Sequence, residues 1–142
     1  HGNGTEDIVS GDERILMVSI FQHPFYPHSG ANSMGSNIVN LPVPAYTKGA
    51  VVREMIEHSW IPRLETFKPQ MIFISAGFDA HKDDDLGQLG LVEQDYAWMT
   101  ARIKDIAKRH ANGRIVSCLE GGYNLNALAR SVEAHVRVLA DL

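Results

Sequence analysis

Two short polar segments carry the residues best suited to chemistry, Ser75-Ala76-Gly77-Phe78-Asp79-Ala80-His81 and Glu120-Gly121-Gly122-Tyr123. Asp79 follows the apolar run Met71-Ile72-Phe73-Ile74. A carboxylate beside a buried strand is costly unless it binds a metal, meets a cation or accepts backbone hydrogen bonds. A turn or helix-capping Asp is the plainer alternative. Asp79-Ala80-His81 offers an oxygen and a nitrogen two residues apart, which extended backbone can aim at one ion. With Asp83 added, the series could serve paired metals of the kind used in metal-assisted hydrolysis. Asp83, Asp84 and Asp85 together read more simply as a solvated acidic loop. Gly121 and Gly122 permit a tight backbone path, and Tyr123 then presents a phenolic donor. Facing a metal-bound carbonyl, that phenol would stabilise a developing oxyanion; packing over a turn is the other reading. His23, His28, His58, His110 and His135 have no second ligand at a suitable spacing and read as surface or helix-face histidines. Cys118, in the apolar run Arg114 to Leu119, reads as a small buried thiol.

The elements that must position these residues alternate between two periods. Ile15 to Ile20, Ile38 to Val43, Met71 to Ile74 and Arg114 to Leu119 read as strands. The stretch from Phe21 to Ser36, rich in Pro, Gly, Ser and Asn, reads as a long loop on a functional rim. Val51, Val52, Met55, Ile56 and Ser59 mark a helix, with Pro62 opening another short one that ends at Phe67. Tyr96, Met99, Ile103, Ile106 and His110 share a face of the next, which Asn112-Gly113 closes. Asn124 caps a last helix whose predicted buried stripe is Leu125, Leu128, Val132, Val136 and Leu139. Strands alternating with helices imply an α/β fold, a parallel sheet with helices on both faces. Ligands bind such sheets beyond the carboxyl ends of the strands. Asp79 and Tyr123 both lie at such ends and should converge on one site.

Composition bounds the rest. A chain of 142 residues, 44% hydrophobic and 21% charged, suits one globular domain over residues 1–142. With 13 Lys and Arg against 17 Asp and Glu, it lacks the basic footprint of a nucleic-acid binder. No apolar stretch approaches the roughly 20 residues of a bilayer span, so no membrane partner is expected and the cytoplasm is the default compartment. The chain opens on His1 and reads as though cut from something longer.

Three motifs in this order, His1-Gly2-Asn3-Gly4-Thr5-Glu6-Asp7, Gly77-Phe78-Asp79-Ala80-His81 and Glu120-Gly121-Gly122-Tyr123-Asn124-Leu125, closely resemble the histone deacetylase superfamily, especially its class II-like bacterial members and acetylpolyamine amidohydrolases. The resemblance runs the length of the chain but covers about the C-terminal half or less of the family's catalytic domain. It implies an arginase/deacetylase-like fold and a zinc hydrolase that removes acyl groups from lysine side chains or polyamines. On that resemblance Asp79 matches a zinc ligand and Tyr123 the tyrosine that polarises the amide carbonyl. Tyr26 and Leu86 resemble walls of the acyl-lysine tunnel, with Gly121 and Gly122 also lining the substrate site. Ser19 and Ile20 resemble part of a monovalent-cation site for K+ or Na+. The family's other two zinc ligands and its tandem-histidine acid/base pair would precede His1, so the chain alone should be inactive. Removing the strand that leads to those ligands would expose apolar edges, which predicts a homo-oligomer or association with the missing N-terminal segment. Two other readings are a non-catalytic interaction module and a binuclear arginase-type hydrolase using Asp79, His81 and Asp83.

Overall fold

A computed structural model describes residues 1–142. A short helix, α1 (Asn3–Val9), precedes a parallel pair, β1 (Met17–Gln22) and β2 (Ile38–Val43). Hydrophobic periodicity gives no sign of a helix in the opening motif, because the residue that α1 buries is an acid. Glu6 points inward and is 2% exposed. Its carboxylate lies 3.1 Å from the His1 ring and accepts a hydrogen bond from Asn40 Nδ2 at 2.8 Å. His1 in turn stacks on Phe21 of β1.

Next come α2 (Gly49–Met55), a π-helical turn (Ile56–Trp60) and α3 (Ile61–Phe67), which follow one another without a break. The sequence suggests an interruption at Pro62, since proline lacks an N–H and clashes with the preceding turn. The wider π-helical turn just before it lets the helix run on, with Pro62 in the first turn of α3. Val52, Ile56, Trp60 and Leu64 then fall on one buried stripe of this composite helix.

The second parallel pair is β3 (Ile72–Ala76) with β4 (Ile115–Leu119), linked through α4 (Glu93–His110). In the first turn of α4, the Asp95 carboxylate accepts the Val92 N–H at 2.9 Å and a hydrogen bond from Arg53 Nη2 at 2.6 Å. That buried carboxylate therefore ties α2 to the start of α4. The last helix, α5 (Leu125–Leu139), starts from Asn124, whose side chain accepts the Ala127 N–H as expected.

Three expectations are corrected here. The buried stripe of α5 is Ala127, Ser131 and His135; Leu128 and Val132 pack only partly against the core, while Leu125 and Val136 are exposed. The cause is His135, which bridges α4 and β4 and so sets the rotation of α5. The Thr100 hydroxyl gives its one proton to the Tyr96 carbonyl at 2.7 Å, so His135 Nδ1 donates to Thr100 at 2.7 Å. Nε2 of the neutral ring then accepts from Ser117 at 2.8 Å. His135 is thus a buried strut, not a surface histidine. Cys118 is exposed, because its register partner is Ser75 and both lie on the face of the β3–β4 pair opposite the one His135 meets.

That face carries Phe73 and Val116 as well, with Phe73 72% exposed. The other face, bearing Ile72 and Ile74, packs into the core with Phe78, Tyr96 and Ile106. Parallel strands are normally covered on both faces. No helix of the chain is long and apolar enough to cross a membrane.

Candidate functional site

The β3–β4 register carries on past both strands. Glu120 N–H donates to the Ala76 carbonyl at 3.0 Å, and Phe78 N–H donates to the Gly121 carbonyl at 2.7 Å. The two polar segments are therefore held side by side at the carboxyl edge, as topology required. Gly121 is needed for this approach: a Cβ there would lie 2.5 Å from Asp79 Oδ2. A Cβ on Gly87 would collide with the Asp79 carbonyl oxygen, so the loop returning from Asp84 also closes over Asp79.

The Asp79 carboxylate forms no ion pair with any Lys, Arg or His side chain of the chain. Burial pushes its pKa above the usual carboxylate range, against a hydrogen bond from its own backbone, while Asp84 adds repulsion. A half-buried carboxylate with no side-chain cation, seated against bare glycine backbone, has the chemistry of a metal ligand. It fits one position of a zinc site. No three His, Cys, Asp or Glu side chains of this chain converge on a point, so the remaining positions are not filled from these residues.

Phe78 holds Asp79 from behind. Its carbonyl accepts the buried Tyr96 hydroxyl at 3.0 Å, and its ring packs on those of Tyr96 and His135. Burial pushes the Tyr96 phenol strongly up, so it stays a donor. Burial also lowers His135, in keeping with its neutral role.

His81 does not join Asp79. Its ring is fully buried, Nδ1 accepts the Asp83 N–H at 3.1 Å, and Nε2 lies 3.4 Å from Glu93. Arg130 clamps Glu93 at 2.5 Å and Asp83 at 3.3 Å, and its bond to Glu93 holds that carboxyl below the usual range. His81 Nδ1 takes the Asp83 amide while its Nε2 makes no hydrogen bond, Asp83 is held by Arg130, and neither side chain converges with Asp79 into a metal-binding group, which corrects the binuclear reading built on the three.

Asp84 is not a solvated member of an acidic run. One oxygen accepts the Leu86 and Gly87 N–H groups, each at 2.9 Å. The other accepts those of Tyr123 at 2.8 Å and Asn124 at 3.4 Å. Burial alone would raise this carboxyl, but the four N–H donors outweigh it and hold it below the usual range. Sequence reasoning misses Asp84 because two of its partners lie 39 and 40 residues away.

Tyr123 is half exposed at the edge, one residue past the glycines. Leu86 and Tyr26 are exposed, in the loops after β3 and β1 respectively. Gln22, at the end of β1, and Gln88, in the loop after β3, exchange hydrogen bonds of 3.0 and 2.9 Å that tie the two together. Sequence reasoning passes over Gln22 and Gln88 as well, since a pairing across 66 residues leaves no local trace. Ser19 and Ile20 lie mid-strand on β1, opposite Asn40 and Leu41, in the other strand pair from Asp79 and Tyr123.

Comparison with known proteins points the same way. Residues 1–139 match the family described as the histone deacetylase domain. Type-2 histone deacetylase 2 of Dictyostelium discoideum is 41% identical over 99% of this chain and 9% of its own length. A histone deacetylase-like amidohydrolase of Pseudomonas aeruginosa is 37% identical over 87% of this chain and 34% of its own. The crystal structure of the HDA15 HD domain superposes with a TM-score of 0.90 at 31% identity, covering 99% of this chain and 42% of that one. The chain spans less than half the length of each of these relatives. With its motifs, its parallel α/β architecture and this likeness agreeing, the chain belongs to the histone deacetylase family.

Proposed function

We propose that this chain forms the Asp79–Tyr123 side of a zinc-dependent active site that hydrolyses the amide of acylated lysine side chains or acetylated polyamines. The observation that carries this reading is the Asp79 carboxylate, half buried, without a side-chain cation and pressed against Gly121, at the same sheet edge as the Tyr123 phenol. Asp79 would supply one zinc ligand. A catalytic zinc takes three protein ligands and an open position, so the intact protein supplies the other two. Bound zinc contributes a Lewis acid that polarises the amide carbonyl. Tyr123 donates its phenolic hydrogen to the carbonyl oxygen as negative charge develops there. Leu86 and Tyr26 would flank the acyl-lysine chain, with the end of β1 tied to the Leu86 loop through Gln22 and Gln88, and Gly121 and Gly122 would line the same site. Ser19 and the Ile20 carbonyl would hold a K+ or Na+ ion in a structural role.

The test separates the two roles in the intact protein with an acetyl-lysine peptide. Tyr123→Phe lowers kcat about a hundredfold or more and leaves zinc content unchanged, as for loss of an oxyanion donor. Asp79→Asn lowers zinc content and activity together. Full activity in Tyr123→Phe, or full zinc content in Asp79→Asn, contradicts the assignment.

A further inference from the structure

We propose that Asp84 is the positioning residue of Tyr123, a single carboxylate that pins the loop bearing the phenol to the loop that closes over Asp79. The inference rests on the reading of Tyr123 as the amide-polarising donor. Tyr123 is 52% exposed, so packing within this chain does little to aim it. Two glycines precede it, with Gly122 at a φ of 139°, so the backbone that sets the phenol's direction is intrinsically loose. This stretch is anchored behind by the Phe78 contact to Gly121 and ahead by the Asn124 cap of α5. Between those anchors, Asp84 Oδ2 takes the Tyr123 and Asn124 N–H groups, while Oδ1 takes Leu86 and Gly87. Leu86 is the proposed tunnel wall, and Gly87 is the residue that abuts the Asp79 carbonyl. One side chain therefore fixes the spacing of donor, wall and metal ligand.

Stoichiometry makes the aspartate specific. Four N–H donors need two acceptor oxygens, and an asparagine offers one oxygen and two further N–H donors. Asp84→Asn must release one of the two loops. Asp84→Glu keeps both acceptors on a longer stem. Asp85 is exposed and faces none of these amides, so it serves as the control.

Two readouts in the intact protein test the proposal, amide hydrogen exchange at Tyr123 and Asn124 and steady-state hydrolysis of an acetyl-lysine peptide. In the unsubstituted protein the Tyr123 amide is protected. Asp84→Asn speeds its exchange about tenfold or more, the loss of a hydrogen bond to a charged acceptor. The same variant lowers kcat about a hundredfold, by far more than it alters KM or zinc content, as expected for a misplaced catalytic group. Asp84→Glu restores part of both, and Asp85→Asn moves neither. If Asp84→Asn fails to fold, Asp84→Glu and the protection in the unsubstituted protein decide the matter. An unprotected Tyr123 amide, or unaltered exchange in Asp84→Asn, overturns the clamp. Faster exchange with unchanged kcat overturns its positioning role. An unsubstituted protein that hydrolyses no acylated amine is a failure of the deacylase reading instead, and the exchange data still decide whether Asp84 holds Tyr123.

Discussion

Among single residues, the site is a set of carboxylates sorted by what surrounds them. Asp79 and Asp84 are five positions apart, yet burial without a side-chain cation raises the first and four N–H donors lower the second. Because the folded state disfavours the charged form of Asp79, its ionisation at neutral pH works against folding of the metal-free protein. Asp79→Asn is therefore expected to stabilise the metal-free protein by about 1 kcal/mol, the usual trade between stability and function, while removing zinc binding. Thermal denaturation with and without a chelator checks this; a lower melting temperature in the chelated variant would contradict it. Asp79 and Tyr123 are legible in the sequence, since each closely follows an apolar strand and strand ends in parallel sheets are where ligands bind. The role of Asp84 is not, because an acidic run carries no record of which member meets distant amides.

Secondary-structure elements deliver these residues through a few polar struts inside an apolar frame. His135 joins α4, α5 and β4, and its ring edge meets Phe78, the residue before Asp79. Truncation to alanine removes packed volume and two hydrogen bonds, so His135→Ala is expected to lose roughly 2–3 kcal/mol in urea denaturation. The ring is neutral when folded and its pKa lies below the ordinary 6.5. Its stabilisation is therefore complete above pH 6.5 and is lost as the pH falls through the folded-state value, where the imidazole must charge. A His135→Gln variant should show a shallower decline below about pH 6.5, the ordinary histidine value; an equal decline would place the dependence elsewhere. The order of strands and helices is readable from periodicity. The rotation of α5 is not, because its most hydrophobic stripe through Leu125 and Val136 is not the one it buries, and polar Ser131 and His135 take the inner positions. The helix through Pro62 likewise continues where propensity argues for a stop, because a π-helical turn absorbs the proline.

Over the whole molecule, the two parallel pairs are complete in themselves but do not make one covered sheet. Only 26 of 142 residues are buried, and Phe73 and Val116 lie open on β3 and β4. Such a face in a parallel sheet calls for another layer, and the chain spans only 42% of the superposed HDA15 domain chain. We propose that the rest of the deacetylase domain covers it. Phe73→Ala should then cost about 3–5 kcal/mol in the intact protein, the range for a buried aromatic. A cost within about 0.5 kcal/mol would show the face to be ordinary surface. Asp79, Tyr123 and the loops around them matter together only if the intact protein performs zinc-dependent amide hydrolysis. Acetate release from an acetyl-lysine peptide, with zinc content determined on the same sample, tests that in one step. About one zinc per active site is expected, with activity lost on chelation and regained on adding zinc. Hydrolysis that persists in the zinc-free protein, or a zinc-loaded protein that releases no acetate from acetyl-lysine or acetylated polyamines, would overturn it.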